Sequence, residues 1–376
     1  YQDFFGSDVS LEAEGRRTPA GRLDLTRLVL GSRGLDLTGR LSLAPSGLPL
    51  QAALTARLGL ANTEEVLLPF PGTRTFVRSG DLKLRYDQVR GSGWTLGGVL
   101  HGFRRADLTI GAVTLDGSGR ISLAGQDGVA APRAGGTVTF SASGIAPANP
   151  GLSRAVGPDL SGRFIFDWRQ GAPLRLPVFD VNGQGYGAKG SATMAQAEGG
   201  TGLRGRIEAR IADMARFSEL AGRPLGGSAA LSISGSGGIL SGLFDLEASI
   251  AGHDLSADQP ELDRLLAGES RINASLLRDT NGVRIRRLDL SATTLQASAT
   301  GQIRTGASEV DATLDFADLS VLGSRYRGAL GGTARMTESG KERQFTLDAE
   351  GRDLARGQAE ADRVLSGAST LHVEAW

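Results

Sequence analysis

The sequence predicts an all-β, mainly antiparallel, elongated repeat with a few short α-helices. Three observations carry that expectation: apolar and polar residues alternate over long stretches, glycine and polar clusters punctuate them, and a unit of roughly 100 residues recurs. Period-two alternation sends one set of side chains to one face of a sheet and the other set to the opposite face.

The alternation is easy to follow. Leu48, Leu50, Ala52, Leu54, Ala56, Leu58 and Leu60 stand two apart. Phe164, Phe166 and Trp168 alternate with Arg163 and Asp167, and Phe244, Leu246, Ala248 and Ile250 alternate with Asp245, Glu247 and Ser249. Val310, Ala312, Leu314 and Phe316 alternate with Glu309, Asp311, Thr313 and Asp315. The breaks between runs are turn chemistry: Ser32-Arg33-Gly34, Asp116-Gly117-Ser118-Gly119, Asn182-Gly183 and Asp279-Thr280-Asn281-Gly282. The phase slips twice, between Ile285 and Leu288 and between Val178 and Phe179. One extra residue in a strand does this, so a β-bulge or strand break is expected at each place. Four segments leave the β rhythm and predict short helices: 149–156, 213–221, 258–267 and 355–366. In the third, Asp258 and Glu261 have capping-box spacing, and Gly268 follows the end.

Composition narrows the function. The 376 residues hold 55 glycines, 40% hydrophobic residues and no cysteine. That is too apolar for a disordered chain, and it removes disulfides, thiolate metal sites and thiol nucleophiles. Lys+Arg and Asp+Glu both total 41, with lysine only at Lys83, Lys189 and Lys341. The cationic excess that nucleic-acid binding draws on is missing. His101, His253 and His372 are far apart and predict no metal site. The glycine runs at 183–187 and 235–238 lack the strand-to-helix setting and the lysine of a phosphate loop, so they predict turns. No cofactor is expected, and an enzyme ranks last.

Internal copies define the repeat. Gly252-His253-Asp254-Leu255, followed by Leu262–Gly268, returns as Gly351-Arg352-Asp353-Leu354 followed by Ala361–Gly367, 99 residues later. Ala212-Asp213-Met214 with Pro224–Ala229 returns as Ala317-Asp318-Leu319 with Ala329–Ala334, at an offset of 105. A weaker copy begins at Ser143-Gly144-Ile145. The expected organisation is therefore 1–143, 144–251, 252–350 and the start of a further repeat at 351–376. The chain begins without Met and ends on Glu374-Ala375-Trp376 inside an alternating run, as a stretch of a longer protein would.

The turn-helix phrases Leu262–Gly268 and Ala361–Gly367 resemble the xDRLLAG element of alphaproteobacterial TamB proteins. The run Phe217–Gly227 looks like their linker into the next β-segment, and Leu288–Ile303 is similar to the wider AsmA-like pattern. The resemblance covers most of 100–376. It implies a β-sheet curled lengthwise into an apolar groove, in a periplasmic protein tethered to the inner membrane. It also implies phospholipid acyl chains as cargo and support for outer-membrane protein assembly. An outer-membrane Omp85-type partner, TamA-like, would bind a part of the protein outside this sequence. The groove-lining candidates are Leu50, Leu54, Leu58, Phe140, Phe164 and Phe166, then Ile207, Leu231, Ile233, Phe244, Leu246, Ile250, Leu288, Leu290, Val310, Leu314 and Phe316. The competing readings are a structural or adhesive cell-surface β-solenoid, or an ordinary closed β core. An outer-membrane barrel would show aromatic girdles, and only three Trp and four Tyr are present.

Overall fold

The computed structural model describes residues 8–59, 65–68, 74–124, 130–197, 200–238, 242–340 and 342–376. Leu60 and Lys341 lie outside these. The described chain is mainly antiparallel β with a few short helices, and it divides into two compact units, Tyr1–Gln184 and Gly185–Trp376.

The first unit contains β1 (Ser10–Arg17), β2 (Leu23–Gly31), β3 (Leu35–Leu43), β4 (Pro49–Leu58), β5 (Val66–Leu67), β6 (Phe76–Val77), β7 (Ser79–Asp87), β8 (Gly93–Arg105), β9 (Leu108–Ser122), β10 (Arg133–Ser143), β11 (Ala146–Pro147), the helix α1 (Pro150–Val156), β12 (Asp159–Arg169) and β13 (Leu174–Gly183). They form a meander in which β5 and β6 are an inserted hairpin, so β4 pairs directly with β7. The second unit contains β14 (Tyr186–Ala197), β15 (Gly200–Ile211), a 3-10 turn (Met214–Phe217), α2 (Ser218–Ala221), β16 (Gly226–Gly238), β17 (Phe244–Ser256), α3 (Pro260–Leu265), β18 (Glu269–Asp279), β19 (Gly282–Ser291), β20 (Leu295–Ile303), β21 (Glu309–Phe316), a second 3-10 turn (Leu319–Leu322), β22 (Arg327–Ser339), β23 (Glu342–Ala355), α4 (Ala359–Leu365) and β24 (Ala368–Ala375). Each strand from β14 to β24 pairs with the next. Each unit is a curled sheet that does not close on itself: within its unit β1 pairs only with β2, β13 only with β12, β14 only with β15 and β24 only with β23.

The first expected phase slip is a bulge in place, and the second is displaced: pairing is regular from Val178 to Phe179 and the irregularity lies just before them. In β19 the pairing passes from Leu276↔Ile285 to Ser275↔Arg287, leaving Arg286 as the extra residue. In β13 it passes from Ile165↔Val178 to Asp167↔Arg175, placing the extra residue around Leu176-Pro177. Bulges raise local twist and bend the bulged strand, which is how a long meander coils.

Among the described residues, all the inserted structure falls at one end of the strands in each unit. In the first unit the helix α1 and the β5–β6 hairpin share that end. In the second, both 3-10 turns, α2, α3 and α4 do, while the other end has tight turns such as Asp279–Gly282, where Asn281 N–H donates to the Asp279 carboxylate at 2.7 Å.

The helices begin differently from the sequence expectation in two places. The N-cap of α3 is Gln259, not Asp258, which instead takes a left-handed φ of 58°. The carboxylate that works there is Asp263, which accepts the Ala257 N–H at 2.7 Å from inside the helix. The helix α4 starts at Ala359, since Ala355 still belongs to β23. The Leu319–Leu322 turn lies outside the four segments that predict helices, although its sequence repeats the segment that carries the first 3-10 turn.

The 99-residue repeat is reproduced bond for bond. Asp254 and Asp353 both stand in the left-handed region, at φ 51° and 53°. Each accepts the N–H of a glycine 14 residues on, Gly268 at 2.8 Å and Gly367 at 3.1 Å, and each gives its own N–H to that glycine's carbonyl, at 2.9 and 2.8 Å. The Asp263 contact recurs as Arg356 N–H to Asp362 at 2.8 Å. Gly227 and Gly328 explain why two bulged positions are glycine: at φ 86° and 93°, a Cβ would stand 2.3 to 2.5 Å from carbonyl oxygens of this same loop. The second repeat element is likewise matched, with Asp213 capping Ala215 N–H and Asp318 capping Ser320 N–H, both at 2.8 Å.

This assignment is testable. Asp263→Ala should cost about 1 kcal/mol, the ordinary loss for a helix-start carboxylate that satisfies a backbone donor, and should speed amide exchange at Ala257. Asp258→Ala should leave exchange there unchanged. The reverse order would restore the capping-box reading.

Candidate functional site

The register turns the alternation into continuous rows. In the second unit, residues facing one another from strand to strand run Ala188, Ala209, Leu231, Ile250, Ile272, Leu290, Ala297, Leu314, Gly332, Ala349 and Leu371. One position along every strand the row becomes Lys189, Glu208, Ser232, Ser249, Asn273, Asp289, Ser298, Thr313, Thr333, Asp348 and His372. The first row contains only apolar residues and glycine. The second contains no apolar residue. Successive residues point to opposite faces, so along these central rows one face of the sheet is apolar and the other polar; charge enters the apolar face only toward the strand ends, as at Arg278, Glu338 and Arg343.

All the groove-lining candidates of the second unit share the apolar face. Ile207 stands opposite Ile233, Leu231 opposite Ile250, and Leu314 is reached from Leu290 through Ala297. Ala248, Ala274, Leu288, Ala299 and Ala312 form the neighbouring rung beyond Ile233. Leu246, Ile285 and Val310 lie on the rung after it, linked through Leu276 and Gly301, while Phe244 and Phe316 occupy opposite ends of their strands. The bulge at Arg286 keeps Ile285 and Leu288 on one face although their spacing is odd.

In the first unit the corresponding rows are Leu28, Gly39, Leu54, Leu84, Leu96, Gly117, Val138, Phe164 and Phe179, and Leu30, Leu37, Ala56, Leu82, Gly98, Leu115, Phe140, Gly162 and Val181. Leu54, Phe140, Phe164 and Phe166 therefore share a face. Leu50 is half-buried where the β3–β4 register shifts. Leu58 is the exception in environment: it is enclosed with Val66, Leu68 and Val77, against Leu35, Leu82 and Leu100. The β5–β6 hairpin folds over that end of the apolar face. Arg104 holds it, paired to Glu65 and stacked 4.6 Å from the Phe76 ring centroid.

Coverage is what distinguishes this face from a core. Among the described residues of the second unit, the buried apolar side chains are Ala229, Leu265, Leu266, Leu295 and Ala349. The branched and aromatic residues of the central rungs are only partly covered. With strands about 4.8 Å apart and same-face residues about 6.8 Å apart, the face measures on the order of 1,000 Å². Soluble monomers usually expose patches of a few hundred Å².

Glycine at intervals on this face lets large side chains lie flat. The Trp94 indole crosses β9 and β10: a Cβ at Gly136 would sit 2.5 Å from its ring, and one at Gly119 would sit 2.8 Å from its Nε1. It reaches Phe166 with ring centroids 6.0 Å apart and donates its N–H to the Gly135 carbonyl at 3.3 Å.

The polar face is laced by cross-strand ion pairs. Arg335 pairs with Glu309 and Asp311, Lys189 with Glu208, and Arg27 with Glu12 and Glu14. Arg286, the bulge residue, crosses β18 to pair with Asp245 and donates to the Ser275 hydroxyl at 2.8 Å. Its guanidinium holds the Asp245 carboxyl below the usual carboxylate range. Exposed pairs of this kind each contribute about 0 to 1 kcal/mol, so they set register more than stability. The described surface depressions also lie on this side, as over Ser298, Thr313, Thr333 and Asp348.

Among the described residues no cluster of three or more metal-ligating side chains occurs, and no helix is long and apolar enough to cross a membrane. No family model matches the chain, and neither a curated protein nor a solved structure matches it.

The polar face makes a pH prediction at β24. His372 lies 2.5 Å from Asp348 through Nδ1 and 3.3 Å from Glu374 through Nε2. The Asp348 hydrogen bond, then that of Glu374, raises its pKa above the usual 6.5. A raised folded pKa stabilises below the unfolded value and is lost as pH rises through the folded value. NMR titration of the imidazole should therefore give a midpoint above 6.5, with faster amide exchange in β24 on the alkaline side. A midpoint at or below 6.5 would contradict the pairing.

Proposed function

We propose that the apolar sheet face shields and conducts phospholipid acyl chains between the inner and outer membranes of a bacterial envelope, as the resemblance to TamB and AsmA-like proteins implies. In that role the protein is periplasmic, held at the inner membrane, and supports outer-membrane protein assembly with an Omp85-type partner. Its role is conduction, not catalysis.

One observation carries the reading: apolar rows pass through consecutive strands in unbroken register, on a face that no second layer of described residues covers. Each methylene moved from water onto such a face gains about 0.8 kcal/mol. Because successive rungs are chemically alike, a chain shifted by one strand keeps nearly the same contacts, so sliding along the rows costs little. Along the central rows the polar residues stay on the other face.

A photo-crosslinking amino acid at Leu54 or Leu314 should capture phospholipid in cells, and one at Thr313 or Asp245 should capture little. Capture of only this protein's own side chains at the apolar positions would make the face a closed core, and the structural or adhesive scaffold would then be the better account.

A further inference from the structure

The two margins of the apolar face of the second unit differ. At the helix end it is covered by apolar packing: Leu265, Leu266 and Leu295 are buried, Leu255 folds over Gly252, and Leu354 folds over Gly351. At the other end no helix or 3-10 turn occurs among the described residues, and the last rung there holds Phe244, Arg278, Val283 and Ile303 in register. Arg278 follows Leu276 by two residues and so belongs to the apolar face. It is exposed and has no hydrogen-bond or ion-pair partner among the described residues. The other charges on this face at that margin among the described residues, Glu338 and Arg343, neutralise each other, and Glu338 also accepts from the Ser308 hydroxyl.

A cation flanked by Phe244 and Val283 on an apolar face, with no carboxylate to pair with, suits a ligand that is anionic at one end and apolar at the other. We propose that Arg278 anchors the phosphate headgroup of a phospholipid whose tails lie along β17 to β19, pointing toward the buried helix end. This rests on the acyl-chain reading above and adds an orientation to it: head at the turn margin, tails across the rungs. From Arg278 to Ile272 the strand provides roughly 20 Å of apolar path, ending where Ser270 is buried at the covered margin. A guanidinium is suited to the task because its planar fork of donors matches phosphate oxygens in pairs. In the first unit Arg17 holds the comparable place, in register with Leu23 at the turn margin and likewise unpaired.

The test is calorimetric titration of the full chain with lysophosphatidylglycerol below its micelle concentration, and with a monoacylglycerol of the same tail. Arg278→Gln should weaken the phosphate lipid about tenfold, the scale of one charge-assisted contact, and leave the neutral lipid unchanged. Arg271→Gln, on the polar face of the same strand, should affect neither. If Arg278→Gln leaves both affinities unchanged, or lowers both equally, the headgroup assignment is overturned while the acyl-chain reading stands. If the unaltered chain binds neither amphiphile, the acyl-chain reading falls and the headgroup assignment with it.

Discussion

A sheet with one apolar face has to put that face somewhere. The constraint dominates this protein because the hydrogen-bond register aligns apolar residues over every consecutive strand of a unit, and no second sheet or helical layer among the described residues lies over the central rungs. Burial in an ordinary sandwich would place the Leu231–Ile250–Ile272–Leu290 row under facing side chains. Here those residues are only partly covered, and the buried apolar residues gather at the strand ends beside the helices. The sheet of each unit is curled but unclosed, so closure does not take these rungs out of water.

The remaining features follow from that curl. Bulges at Arg286 and near Leu176 change the twist while holding side chains on their proper face. Glycine beneath Trp94 and Phe140 lets large rings lie along the sheet, where a Cβ would collide with them. The Asp254 and Asp353 loops, built identically, fix the helices α3 and α4 over the same end of the strands. Cross-strand ion pairs keep the opposite face wet and in register. In the second unit one margin is thus covered by apolar packing, while among the described residues no helix covers the other.

Much of this was legible in the sequence, and for a definite reason. Period two is local, so the class of fold, the bulge at Arg286, the presence though not the place of the one in β13, four of the helical segments and the sharing of one face by Leu314, Ile250 and Leu231 could be read from neighbours in the chain. What escaped depends on residues distant in sequence. The β5–β6 hairpin closes over Leu58 through Arg104 and Glu65, far apart along the chain, and neither strand is long enough to alternate. Asp263 takes the role expected of Asp258 because the backbone turns left-handed at 258, which residue spacing does not reveal. Arg278 sits at the correct parity to be found, two beyond Leu276, but only the pairing shows that Phe244 and Val283 flank it and that it has no carboxylate partner.

The central claim is that the apolar face is occupied by lipid and does not close on itself. Native mass spectrometry of the intact chain, purified from bacterial membranes and released gently from solution, tests it most directly. The account predicts adducts with phospholipid masses that survive mild activation and disappear when charge is placed in the row, as in Leu314→Asp. A lipid-free spectrum for the folded, unaltered chain, or adducts that persist equally in that variant, would contradict it.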